Sequence, residues 1–177
     1  GSHAVNATSL VFRLTKANGT VKINSPFNTY TGATIIGRTN GTDTLTVNVN
    51  GDITSSSNVL VNAAATLRGT GSVSAVTVAN AGILHPGQST GTLNVNGMVT
   101  LEDTGSVFRV TLGAGGVSSA LAITNGYMDL GNGGTLSLTG TLDQTYTLAT
   151  FDEQAGAYGT FSTILLNDSE QDWQDSG

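Results

Sequence analysis

Residues able to do acid–base or ligand chemistry are few and scattered. The sequence holds two histidines, His3 and His85, and no cysteine. His85 precedes Pro86 in a tight connection. An imidazole there would serve as general base or metal ligand only with a nucleophile or a second ligand beside it. His3 lies in Gly1-Ser2-His3, which reads as a tag remnant. His85 therefore stands alone and reads as a loop residue at a corner of the fold. Glu102-Asp103 and Asp152-Glu153 are adjacent acidic pairs. Glycosidase carboxylates face each other across a cleft at about 5–10 Å, whereas neighbours in one loop point apart into solvent. Polysaccharide lyases need a cation in the same groove, and the chain has no Lys or Arg after Arg109. Asp129, Asp143 and Asp152 are oxygen donors for calcium, but the Gly-Gly-x-Gly-x-Asp calcium repeat is absent. No serine sits in a nucleophile elbow. Tyr30, Tyr127, Tyr146 and Tyr158 would form a glycan-stacking face if they lined up; packing in the core or a cap is the plainer use. The sequence thus assigns no catalytic, cofactor-binding or metal-binding residue.

The elements that must carry these residues are strands and turns. Gly is 24 of 177 residues and charged residues are 10%, a composition rich in turn formers and poor in helix formers. The net charge of −6 is uneven. All six Lys and Arg lie at or before Arg109, and eight of the acidic residues lie after it. Nucleic acid and anionic membrane surfaces are disfavoured as partners by this balance. No apolar run approaches the roughly 20 residues of a membrane helix.

The most ordered stretch runs from Val59 to Leu101. Three segments, VLVNAAATL, VTVANAGIL and LNVNGMVTL, begin at Val59, Val76 and Leu93, an offset of 17 residues each time. Val59, Val76 and Leu93 form one apolar column; Val61, Val78 and Val95 a second; Leu67, Leu84 and Leu101 a third. A fixed period with aligned apolar columns predicts one small unit stacked on copies of itself. In that register Asn62 and Asn96 share a column interrupted by Ala79. Such units cannot each close a core, but they share one by coiling. The expected fold is all-β, a right-handed parallel β-helix. Before the comb, Asn18-Gly19 marks a hairpin-like or corner bend between the segments at 10–14 and 21–24. After it, the period loosens through strands at 107–112, 121–124, 127–130 and 135–142. Residues 146–166 hold the most aromatic strands and are expected to cap the open end of the coil. Residues 4–166 read as one solenoid domain and 167–177 as an acidic tail.

The stretch from Leu67 to Leu101 resembles the passenger-associated transport repeat of bacterial autotransporters. The residues that carry this are the Gly69-Thr70-Gly71 turn, the Val76-Thr77-Val78 strand and the turn from Ile83 to Leu93, with Pro86, Gly87, Ser89 and Gly91 at the motif positions. NTYTGATII (28–36) is similar to the signature of autotransporter-associated β-strand repeats, and YTLATF with YGTFSTI to the aromatic segment that follows them. The resemblance implies a parallel β-helix exported to the bacterial surface, near the C-terminal end of a passenger, where it supports vectorial folding. It implies a structural, non-enzymatic role, with neighbouring rungs of a longer protein as partners. The alternative is an adhesin module that binds an extracellular glycan or protein; a polysaccharide-active β-helix enzyme comes after it. No insertion into membrane is expected of this segment.

Overall fold

A computed structural model of the protein describes residues 9–13, 18–152 and 156–171. Val, Leu, Ile and Thr alternate along short segments, and these form eighteen strands: β1 (Ser9–Phe12), β2 (Gly19–Ile23), β3 (Ala33–Ile36), β4 (Leu45–Val49), β5 (Asp52–Ile53), β6 (Val59–Val61), β7 (Ala65–Gly69), β8 (Ser72–Val78), β9 (Ile83–Pro86), β10 (Gly91–Leu101), β11 (Val107–Thr111), β12 (Ser119–Thr124), β13 (Met128–Leu130), β14 (Thr135–Thr139), β15 (Ala149–Phe151), β16 (Ala157–Gly159), β17 (Thr163–Leu166) and β18 (Ser169–Glu170). Among the described residues the one helical element is a 3-10 turn at Ala114–Gly116. Two parallel sheets wind into a β-solenoid of about six turns. Asn18-Gly19 is a coil corner rather than a hairpin, because β1 and β2 enter different sheets.

The larger sheet carries two ladders, so each full coil has three walls. Wall A holds β1, β3, β6, the second halves of β8 and β10, β13 and β16. Wall B holds β5, the first halves of β8 and β10, β12 and β15. Wall C is the second sheet: β2, β4, β7, β9, β11, β14 and β17, with β18 turned back on β17 in the only antiparallel strand pair among the described residues. The corner between walls B and A sits at Ala75, Gly97 and Gly126. Gly97 has φ +128°, and a Cβ there would meet the Ala75 Cβ at 3.0 Å. Inward residues Val73 and Val76, three positions apart and both buried, mark the same bend in β8.

The register corrects the repeat seen in the sequence. The first 17-residue step is as expected: Val59 pairs with Val76, Val61 with Val78 and Leu67 with Leu84. The second is not. Val76 pairs onward with Val99, Val78 with Leu101 and Leu84 with Phe108. Leu93 and Val95 lie on wall B, where Val95 pairs with Val73. The reason is that β10 spans two walls and carries the same apolar alternation in both halves, so its first half imitates the rung that its second half makes. Asn96 accordingly pairs with Ser74 and lies outside the Asn62 column, which continues through Ala79 to Glu102 by the pairings beside it. All nine predicted core residues are nonetheless buried: Val59, Val61, Leu67, Val76, Val78, Leu84, Leu93, Val95 and Leu101.

The core is one continuous apolar column running the length of the coil. In the last coil the described residues Tyr146, Leu148, Phe151, Phe161, Ile164 and Leu166 pack half-buried against the column's end. Phe161 stacks on Phe108 at a centroid distance of 6.5 Å. Of the expected tail, Ser169–Glu170 forms β18 and residues 172–177 lie outside the described part, as does the tag remnant. The 28–36 segment is braced by polar contacts: Asn28 donates to the Ser25 and Asp52 carbonyls, and a hydroxyl chain links Tyr30, Thr34 and Ser56 to the Gly32 carbonyl. These contacts satisfy Thr34, which is fully buried.

Candidate functional site

The strand register distributes charge by wall. On wall C the outward positions of β2, β4, β7, β9 and β11 bring Lys22, Asn48, Arg68, His85 and Arg109 into one column. The first four are consecutive register partners, and Arg109 follows Phe108, the partner of Leu84. No Asp or Glu occurs in the strands β2 through β17 of that wall. The strand carboxylates Asp52 and Asp129 belong to walls B and A, whose strands contain no Lys or Arg. Glu170, in β18, closes wall C at the far end.

Within the column His85 is half-buried, and its Nε2 lies 3.0 Å from the Thr111 hydroxyl. Burial, with the Arg68 and Arg109 guanidinium groups on either side, lowers its pKa from 6.5 to about 4. The ring is neutral at pH 7. Arg68 lies along the wall and donates to the Gln88 carbonyl, so the 86–91 turn folds over it. Its pKa is lowered by burial and by Arg109. Two buried polar atoms of adjacent register positions, Asn48 Oδ1 and Arg68 Nε, have no hydrogen-bond partner.

The depressed His85 pKa ties stability to pH. Between about 6.5 and about 4 the unfolded chain holds a proton that the folded chain refuses, so stability falls as pH falls through that window. With solvent screening of a partly exposed group, the loss attributable to His85 is about 1–2 kcal/mol. Urea titrations of the wild type and His85→Gln at pH 7 and pH 4 measure it. The wild type should lose the larger amount on acidification, and equal losses would remove His85 as the cause.

The other candidates are dispersed. In the turn motif Pro86 and Gly87 are buried, and Gly87 exchanges two backbone hydrogen bonds with Gly69. Ser89 is exposed, and Gly91 begins β10 with φ +124°. Glu102 and Asp103 line a shallow corner depression of about 330 Å³ with Asn62 and Asn80. Asp103 is occupied there, accepting from the Gly105 N–H at 2.8 Å, so the pair offers one uncommitted carboxylate rather than two facing ones. Asp129 accepts from the Gly131 N–H, Asp143 from the Tyr146 hydroxyl and Asp152 from the Asn125 N–H, each at 2.8 Å and each in its own turn. Among the described residues no three His, Asp or Glu side chains group as a metal site. Glu153 lies outside the described residues. The four tyrosines do not form a face. The Tyr30 hydroxyl bonds Thr34, and the Tyr146 hydroxyl donates to Asp143, with the Thr141 and Gly113 carbonyl oxygens beside it at 3.0 and 3.2 Å. Only Tyr127 and Tyr158 meet, edge to face at 5.0 Å, above Asp129. That geometry presents one ring edge and no flat two-ring platform.

The chain matches no family model and no curated protein. Its fold is what the geometry establishes: a parallel β-solenoid with its strand cations on one wall. Sequence reasoning weighed His85 as an isolated loop residue and missed the column. The outward parity of Lys22, Arg68, His85 and Arg109 in their alternating strands was the available signal, but only the register aligns them.

Proposed function

We propose that the chain is a structural, non-enzymatic segment of a secreted bacterial surface protein, a passenger-type β-helix that supports rung-by-rung folding and display outside the cell. The observation that carries this reading is the order of the ladders. On each wall the strands follow one another in chain order, so every coil pairs only with the coil before and the coil after it. A completed coil offers a full edge of N–H and C=O groups and an open apolar column, and the next coil needs nothing else to dock. A chain emerging through a pore can therefore fold as it exits. The resemblance of residues 67–101 to the passenger-associated transport repeat supports the cellular setting.

The test places the chain between an export signal and an outer-membrane translocating barrel and follows its protease accessibility on whole cells. Leu136→Asp breaks a late coil and Leu45→Asp an early one; both residues are buried. Folding that starts from the exported C-terminal side predicts loss of surface display for Leu136→Asp. For Leu45→Asp it predicts displayed chains whose C-terminal coils still resist protease. Equal display of both variants would overturn the reading.

A further inference from the structure

The column on wall C has a spacing as well as a sign. Strands stack at about 4.8 Å. Lys22, Arg68 and Arg109 occupy alternate strands, with neutral Asn48 and His85 between them, so formal positive charges recur at about 9.6 Å. Beside them on the outer face runs a second column, Thr20, Thr46, Thr66, Ile83, Val107, Thr135 and Thr163, mostly hydroxyl-bearing. Lys22 is exposed and Arg109 half-exposed, and neither has a hydrogen bond or ion pair within the described residues. The wall thus carries three formal cations at even strand spacing, Lys22 and Arg109 without a partner among the described residues and Arg68 donating to the Gln88 carbonyl, beside a column that is mostly threonine, on a protein whose net charge is −6. The nearest strand carboxylate along the column, Glu170, lies three strand spacings beyond Arg109, about 14 Å, more than a Debye length at physiological salt.

We infer that the outer face of wall C binds a linear acidic polysaccharide laid along the solenoid axis, with uronate carboxylates meeting Lys22, Arg68 and Arg109. An extended β-linked chain with one uronate per disaccharide repeats its charge over two sugar rings, a length close to two strand spacings. The sugar between the uronates at Arg68 and Arg109 would lie over His85, whose half-buried ring is neutral; Asn48, the matching position between Lys22 and Arg68, is buried. Arginine suits a planar carboxylate through its forked N–H groups. Nucleic acid fits less well. Its phosphates are about 3.4 Å apart along each duplex strand, far denser than these cations, and wall C has no exposed aromatic ring for a base to stack on. This assignment concerns a ligand and stands apart from the folding role proposed above.

Fluorescence polarisation with a labelled hyaluronan octasaccharide at low ionic strength tests it on the full chain. Saturable binding that weakens with added salt is expected. Lys22→Gln and Arg109→Gln, which break no hydrogen bond or ion pair among the described residues, should each weaken it about tenfold, the scale of one charge-assisted contact. Arg38→Gln, at an exposed corner turn, should leave it unchanged. Circular dichroism of the variants keeps misfolding distinct from lost contacts. No binding of the octasaccharide, an equal loss in Arg38→Gln, or tighter binding of an oligothymidylate than of hyaluronan would each overturn the assignment.

Discussion

Val78→Asp should destabilise the fold by about 3 kcal/mol or more, because it places an unpaired carboxylate in a sealed apolar column. Val78 is fully buried between Val61 and Leu101, its register partners on either side. Its own backbone is committed too: the carbonyl accepts from the Glu102 N–H at 3.0 Å and from the Ser106 hydroxyl at 2.8 Å. The side chain cannot swing to solvent without breaking the wall A ladder. Urea denaturation of the purified variant reads the effect, and a loss under about half a kcal/mol would put Val78 outside the core. A double-mutant cycle distinguishes the two registers. Val78→Ala and Leu101→Ala should couple, whereas Val78→Ala and Val95→Ala should be close to additive. The reverse result would restore the uniform 17-residue comb.

Gly69→Ala should cost about 3 kcal/mol for a different reason. Gly69 ends β7 with φ +122°, a region that side-chain-bearing residues rarely enter, and a Cβ there would lie 1.9 Å from the Val49 carbonyl oxygen of the coil below. Backbone, not a movable side chain, fills the space, so two coils would have to separate at that corner. The same residue exchanges hydrogen bonds with Gly87 at 3.2 and 2.8 Å, so the 86–91 turn would lose its anchor as well. Gly156→Ala is the control, since nothing lies within 4 Å of its added Cβ and its φ is ordinary; it should change stability by less than about half a kcal/mol. Equal thermal midpoints for Gly69→Ala and the wild type would show that the coils yield more readily than this packing allows.

The solenoid was legible in the sequence because its driving force is periodic. Val59, Val61 and Leu67 recur as Val76, Val78 and Leu84 with nothing inserted between them. Where a coil lengthens, the cue becomes ambiguous. Leu93 and Val95 present the same alternation as Val99 and Leu101, and only pairing with Val73 or with Val76 and Val78 tells the walls apart. The turn glycines were visible as a motif, but the reason for Gly69, a carbonyl from another coil at its Cα, is a three-dimensional fact. The basic column was hidden for the same reason. From Lys22 through Asn48, Arg68 and His85 to Arg109 the steps are 26, 20, 17 and 24 residues, so no single period connects them.

Unequal coils also give the molecule an uneven response to mechanical load. The hydrogen bonds between coils run along the axis, so a pull applied to the two ends of the chain opens the ladders one coil at a time instead of shearing all of them together. Each release pays out the residues of that coil. From Val61 to Val78 the coil holds 17 residues, and from Leu130 to Gly159 it holds 29. Fully extended these correspond to about 60 Å and about 100 Å of chain. Stretched, the protein would lengthen in steps of different size, giving each coil its own signature on a force trace.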